Sequence, residues 1–439
     1  MFRKLGTIMA KPGDQVRIQT GKEVVEGVFL PSFDSQTLLI KLKSGYNMGL
    51  NAKDVKKVTV TGKSTPAAKP SPQKIPPKSG LPTIAILHTG GTIASRVDYR
   101  TGGVVSSFEP AELVSMFPEL GEIANIESEL IAQMWSDDFR FAHFTLMAKT
   151  IEKWVKKGVR GIIIGCGTDN LAVAAAALAF MVEKTPVPII LVGAQRSSDR
   201  GSSDAGMNLI CAATFIAKTE FAGVAIAMHE REDNLTGVIL PPTKTYKLHS
   251  SRRDAFTPVN DRAIARVHYQ DRSVEFLKKE YTKRSNTPLV IKPKMEEKVG
   301  LLKIHVNMFP EQFSFFKGYK GLIIEGTGLG HTPGQAPNEL AAIHKKIYPA
   351  IKKVIDSGCV IIMTTQCIFG GVNMNVYDKG RDLLNIGVVP GKDMLGNTAL
   401  VKLSWLLGNY KKEEVKELIG KNLRGEINER LAYEEVFIP

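Results

Sequence analysis

The sequence predicts an α/β chain in which two α/β units, the first doubly wound, follow a small all-β barrel domain, and three observations lead to that reading. From Leu81 onward, short runs of apolar, mostly β-branched residues alternate with longer helical stretches, the pattern of parallel strands joined by crossover helices. Two of those runs end alike. Thr83-Ile84-Ala85-Ile86-Leu87 leads into His88-Thr89-Gly90-Gly91-Thr92, and Gly161-Ile162-Ile163-Ile164 leads into Gly165-Cys166-Gly167-Thr168-Asp169-Asn170. Each reads as a buried strand whose carboxyl end delivers a threonine into a glycine-lined crevice, where open α/β sheets place their ligands. Ahead of both, residues 11–61 are dense in short alternating segments cut by Pro12-Gly13, Gly21-Lys22 and Ser44-Gly45, the signature of a small barrel or curled sheet.

Taken in chain order, residues 1–62 form the barrel domain, with strands at 15–19, 24–30, 37–42 and 58–60. Residues 63–80 are rich in Lys, Pro, Ser and Ala, carry Pro66, Pro70, Pro72, Pro76 and Pro77, and have no hydrophobic period, so they read as an exposed, semi-extended linker. Residues 81–268 form the first α/β unit, with strands at 84–87, 161–164, 189–192 and 224–227 and helices at 144–157 and 171–183. Residues 269–298 are charged and aperiodic and read as a connection. Residues 299–439 form the second unit and the tail, with strands at 301–306, 321–324 and 359–363 and helices at 338–357 and 399–407.

Composition narrows the classes. At 439 residues and 43% hydrophobic content the chain can bury more than one sizeable core. Residues 1–11 lack a long apolar segment and no run of about 18 apolar residues occurs, so a cytoplasmic protein with no membrane span is expected. Cys166, Cys211, Cys359 and Cys367 lie in apolar contexts without paired spacing, which reads as reduced packing residues and no structural metal. The net charge of +14 fits a polyanionic partner such as RNA, or equally a thermophile's lysine-rich surface.

The glycine-threonine segments carry the chemistry. Two glycines let the backbone approach a ligand, and the hydroxyl of Thr92 then stands where it can attack a carbonyl or hold a polar group. Alone, this segment reads equally well as a packing turn or a phosphate loop. Thr168-Asp169 falls where a strand gives way to an alanine-rich helix, so it is either a helix cap or a set of groups that orients substrate or water.

Thr89-Gly90-Gly91-Thr92-Ile93-Ala94 and Gly167-Thr168-Asp169 resemble, in order and spacing, the paired signatures of the bacterial-type L-asparaginase/glutaminase family. Lys247-Leu248-His249-Ser250-Ser251-Arg252-Arg253-Asp254-Ala255-Phe256, followed by Val259-Asn260, resembles that family's lysine segment, and the spacing back from Phe256 selects Lys247. Lys244, nearer the prolines, reads as a solvated loop lysine. Tyr377-Asp378-Lys379-Gly380-Arg381, residues 387–394 and residues 399–403 extend the likeness, which spans about Leu81 to Leu407. The resemblance implies two asparaginase-like domains and hydrolysis of a side-chain carboxamide. In it Thr92 is the nucleophile, while Thr168, Asp169 and Lys247 supply activation and position water. It further implies substrate contacts from Tyr99, in a flexible segment shorter than in many relatives, and from Ser136 and Asp137. Cys166 and Asn170 depart from the residues usual at their positions, histidine and a hydroxyl residue.

A small barrel and proline linker ahead of such a body are similar to the D subunits of archaeal glutamyl-tRNA(Gln) amidotransferases. That resemblance implies release of ammonia from glutamine or asparagine and its passage to an E subunit, which converts Glu-tRNA(Gln) to Gln-tRNA(Gln). It places ATP and magnesium at the partner and no cofactor in this chain. It also implies contact with tRNA(Gln) through the complex, and a homodimer. A stand-alone cytoplasmic L-asparaginase is the alternative, and a tRNA-reading module without activity is a third reading.

Overall fold

A computed structural model describes residues 10–32, 34–43, 46–63, 77–97, 104–106, 116–198, 200 and 202–432. Its amino-terminal strands, Asp14–Thr20, Val24–Leu30, Thr37–Lys41, Asn47–Asn51 and Val55–Lys63, form one antiparallel sheet in the order fourth, third, second, first, fifth. Bulges where the first strand meets the fifth, between Gln15 and Val16 and between Gln19 and Thr20, add the twist that curls it. Val16, Ile18, Val25, Leu38, Ile40, Leu50 and Val55 then pack a small core of their own. The strand Asn47–Asn51, with a glycine and two asparagines, is an edge strand that its composition does not announce.

The first α/β unit is built on an eight-stranded sheet. Five strands are parallel and lie side by side in the order Asn125–Met134, Thr83–Gly90, Gly161–Gly165, Pro188–Val192 and Gly223–His229. The antiparallel strands Thr236–Leu240, Ala265–His268 and Val274–Phe276 extend the far side. The chain starts in Thr83–Gly90, crosses to one neighbour, Asn125–Met134, and then returns to the other, Gly161–Gly165. The connections therefore diverge between Thr83–Gly90 and Gly161–Gly165, opening a crevice at their carboxyl ends. The register pairs Leu87 with Ile164 and His88 with Gly165, so Thr83–Gly90 runs two residues past the end of its neighbour.

The second unit has four parallel strands in sequence order, Val299–Lys303, Gly321–Gly326, Val360–Thr365 and Val389–Pro390. Its last long helix, Gly396–Asn409, packs on the first unit's helix Leu171–Met181. The latter is apolar all round and rich in alanine because it is enclosed on all sides, and Phe180 stacks on Trp405 at 5.8 Å across the joint. One core runs through both units. The stretch 269–298, expected as a connection, is largely part of the first unit. Val274–Phe276 is a sheet strand, Val290–Ile291 pairs with Val182–Lys184, and Phe276 stacks on Tyr281 at 4.1 Å. Arg284, its guanidinium pulled down to about 10 by burial, donates to the carbonyls of Arg160, Thr219 and Ile216. The linker's end is likewise fastened, since Asn125 exchanges two hydrogen bonds with the backbone of Lys78. Among the described residues no helix is long and apolar enough to cross a membrane. Cys166, Cys211 and Cys359 are buried free thiols, whereas Cys367, expected to pack, is exposed.

His88 interrupts the apolar run of its strand beneath the crevice. It is buried, and neither ring nitrogen has a partner among the described residues. Burial pulls its pKa from 6.5 down to about 4. Between those values the unfolded chain binds a proton that the folded chain refuses. The stability contributed by neutral His88 is therefore complete above pH 6.5 and is lost as pH falls toward 4. Urea unfolding as a function of pH is expected to lose about 3 kcal/mol less between pH 7 and 4 in His88→Leu than in the parent chain. Parallel pH profiles for the two would remove His88 as the responsible group.

Candidate active site

Three backbone segments meet at the crevice, and glycines let them do so. Gly90 and Gly91 have φ of 95° and 75°, in the left-handed region that costs other residues strain. A Cβ on Gly91 would lie 2.4 Å from the α-carbon of Gly167, and a Cβ on Gly167 would lie 2.8 Å from Ser136 Oγ. Substitution at either position needs the backbone to move. The close approach brings together the turns that follow: the 3-10 turn Thr92–Ala94, the 3-10 turn Thr168–Asn170 and the 3-10 turn Ser136–Asp138. Thr92, Thr168 and Ser136 are each the first residue of their turn.

Lys247 completes this group. It sits on a short hairpin in which Thr245–Lys247 pairs with Phe256–Pro258, Lys247 lying opposite the buried Phe256. Its ammonium donates to Thr168 Oγ1 at 2.9 Å and to Asp169 Oδ1 at 2.7 Å. The lysine side chain is 14% exposed and that of Asp169 63%, so the pair lies at the crevice mouth with the cation on the inner side. Lys244, expected as a solvated loop lysine, is instead fully buried and ion-paired to Asp393 at 2.5 Å. The second unit covers the base of the hairpin there and supplies the carboxylate. Burial lowers the lysine's pKa and the carboxylate opposes that shift.

Ser136 and Asp137 are tied to the Thr168 turn by Asn170. Its backbone N–H donates to Ser136 Oγ at 3.2 Å, and its Nδ2 donates to the Ser136 carbonyl at 3.0 Å and to Asp137 Oδ1 at 3.5 Å. The Asn170 side chain thus couples the two turns and makes no capping bond to its own helix. Tyr99 lies outside the described residues. Cys166, buried beneath the Thr168 turn, has its thiol pushed up to about 12 by burial, which suits packing and not nucleophilic chemistry.

The loop after Pro188–Val192 adds groups that the sequence reading did not select. The Thr168 hydroxyl donates to Gln195 Oε1 at 3.4 Å, while Gln195 Nε2 is buried without a partner among the described residues. Buried Asp204 accepts from the backbone N–H of Gln195 and Arg196 and from Asn208 Nδ2, which holds this loop in place. Ser198 Oγ donates to the carbonyl of Ile93, one residue past Thr92, at 2.5 Å. On its outer side the loop meets the amino-terminal sheet, where the Tyr46 hydroxyl bonds Ser202 and Arg200 lies 5.5 Å from the Tyr46 ring. The one legible signal was position: Gly193-Ala194-Gln195 ends the next parallel strand.

Comparison with known proteins agrees with this architecture. Residues 83–282 match the family Asparaginase, N-terminal, residues 298–419 the Glutaminase/Asparaginase C-terminal domain, and residues 10–61 the GatD N-terminal domain. The thermostable L-asparaginase from Thermococcus kodakarensis superposes with a TM-score of 0.68 at 26% identity, covering 79% of this chain and 100% of that one. L-asparaginase I from Vibrio cholerae gives 0.67 at 25%, over 80% and 100%. Full-length relatives are more similar. The D subunit of the glutamyl-tRNA(Gln) amidotransferase from Pyrococcus furiosus is 43% identical over 94% of both chains, and that from Methanococcus maripaludis 42% over 96% of this chain and 99% of its own. With all three parts matched in order, the chain belongs to the family of glutamyl-tRNA(Gln) amidotransferase D subunits, amidohydrolase components with an asparaginase-type body.

Proposed function

We propose that this chain hydrolyses the side-chain carboxamide of glutamine or asparagine through Thr92 and passes the ammonia to a partner E subunit, which amidates glutamate carried on tRNA(Gln). The observation that carries the reading is the Lys247 ammonium bridging Thr168 and Asp169 beside the glycine contact that delivers Thr92. In the first step Thr92 Oγ bonds to the amide carbon, the C–N bond breaks, and the hydroxyl proton ends on the departing nitrogen, giving ammonia and an acyl ester. Water then attacks the ester, restores the Thr92 hydroxyl and frees the carboxylate.

Threonine is a weak nucleophile until a neighbour takes its proton. In the ground state Lys247 donates to both Thr168 and Asp169, and the Thr168 hydroxyl points its own proton at Gln195. A relay needs Lys247 to give up one proton to water; the Thr92 proton then passes to Thr168 Oγ1 as Thr168 turns its own proton from Gln195 to the lysine nitrogen. Asp169, which accepts from the same ammonium at 2.7 Å, holds the lysine beside Thr168 for that exchange. Ser136 and Asp137, locked to the Thr168 turn by Asn170, hold the substrate's amino-acid end in this reading, and Tyr99 contributes a further substrate contact. ATP and magnesium act at the partner. A homodimer of the two-fold kind and contact with tRNA(Gln) through the complex complete the reading, and the net charge of +14 supports the latter.

The likeness of the body to L-asparaginases favours one other reading, a stand-alone asparaginase. The amino-terminal sheet separates the two, because it adjoins the loop whose Ser198 bonds next to Thr92. The full chain is expected to release ammonia from glutamine slowly alone and faster with the E subunit and Glu-tRNA(Gln). A chain beginning at Pro77 is expected to melt cooperatively, since the proline-rich segment marks a boundary, yet to lose that stimulation. High asparaginase turnover by the full chain alone, unchanged by either addition, would select the stand-alone enzyme.

A further inference from the structure

The hairpin that carries Lys247 is held at its base by groups from far along the chain. Lys244, three residues before Lys247, donates to Asp393 Oδ2 at 2.5 Å and to the Asp393 carbonyl at 3.1 Å. The same carboxylate accepts from Asn428, whose backbone N–H reaches Oδ1 at 3.0 Å and whose Nδ2 reaches Oδ2 at 2.9 Å. Asn428 Nδ2 also donates to the Asn260 carbonyl at 2.7 Å, on the hairpin's returning side. Asn260 has φ of 53° and exchanges two hydrogen bonds with the backbone of Gly370. Between the two sides, the N–H of Val259 donates to the Lys244 carbonyl at 2.7 Å.

Both ends of the hairpin are therefore clamped by the second unit and by the chain's last described segment. That segment is fastened in turn. Lys402 and Glu426 form a second buried ion pair at 2.6 Å, with both side chains 0% exposed, and Thr243 Oγ1 donates to the Arg424 carbonyl at 3.0 Å.

A buried ion pair is a poor source of stability, because apolar side chains of similar volume often serve as well or better. What a fully hydrogen-bonded carboxylate supplies that apolar packing does not is direction. Lys247 must reach Thr168 Oγ1 and Asp169 Oδ1 together from a strand of only three residues, so a displacement at Lys244 is carried straight to its ammonium. Misplacing a reacting group by about 1 Å can lower a rate about a hundredfold.

We propose that Asp393 and Asn428 are positioning residues for the reaction, which through Lys244 and Asn260 set where Lys247 stands. The inference rests on Lys247 serving the hydrolytic centre, and its test separates the two. Ammonia release is measured in the complex with the E subunit and Glu-tRNA(Gln), well below the melting temperature, for the parent chain, Asn428→Ala, Asp393→Asn, Lys247→Met and Val415→Ala. The last trims a buried side chain of the helix Lys412–Leu418 that takes no part in the hydrogen bonds among Lys244, Asp393, Asn428 and Asn260, and reports what destabilisation alone does.

Asn428→Ala is expected to fold and to lower kcat about tenfold with KM within about twofold of the parent. Asp393→Asn, where it folds, is expected to lose more. Val415→Ala is expected to lower the melting temperature and leave kcat unchanged. An unchanged kcat in Asn428→Ala beside an inactive Lys247→Met would overturn the positioning role and leave the lysine's role intact. Full activity in Lys247→Met would overturn both. A kcat loss in Val415→Ala equal to that in Asn428→Ala would reduce the clamp to a purely structural element.

Discussion

At the carboxyl edge of two neighbouring parallel strands, Gly91 and Gly167 lie back to back, with no room for a methyl group between them. The contact is possible because His88 and Gly165 are register partners, which sets Gly91 three and Gly167 two residues past a shared pair, and because Gly90 and Gly91 take up left-handed backbone. Each glycine is followed at once by a threonine. The sheet's topology opens the crevice, and the glycine contact decides that Thr92 and Thr168 enter it together. Ser136 packs against Gly167 from the third side, so the three turns are arranged around a single backbone contact.

Lys247 comes from outside this arrangement and depends on the rest of the molecule. Its hairpin lies beyond the parallel strands, and its base is covered by the second unit. The two units share a core along the helices Leu171–Met181 and Gly396–Asn409, with Phe180 on Trp405. That apolar joint fixes how the units sit, and the Lys244–Asp393–Asn428 contacts fasten the hairpin that carries Lys247 to the second unit. The first helix starts at the Thr168 turn, so the surface that joins the units also supports the site. The structural economy is that both depend on one helix.

Much of this is legible in the sequence. The β-branched runs ending in glycine and threonine mark the two central strands, and the curled amino-terminal sheet follows from short alternating segments. Asn125–Met134 escapes because Glu127, Glu129 and Gln133 interrupt its apolar run, as befits an edge strand with one wet face. The antiparallel strands Thr236–Leu240 and Ala265–His268 carry no glycine-threonine ending to distinguish them. Lys244 is the instructive case. A lysine near two prolines reads as solvated, and the carboxylate that permits its burial lies 149 residues away, beyond any local pattern. The same distance problem hides Gln195 and the bridging role of Asn170, whose partners Ser136 and Asp137 are 34 and 33 residues upstream.

The central claim is that Thr92 forms the covalent bond and that Thr168 acts on its proton. Acid quenching of the complex during steady-state turnover of glutamine, followed by proteolysis and mass spectrometry, locates any acyl ester directly. The account predicts a glutamyl ester on the peptide that contains Thr92, borne by the Thr92 hydroxyl. An ester on Thr168 instead, or no acylated peptide under a quench fast enough to capture the turning-over enzyme, would contradict it.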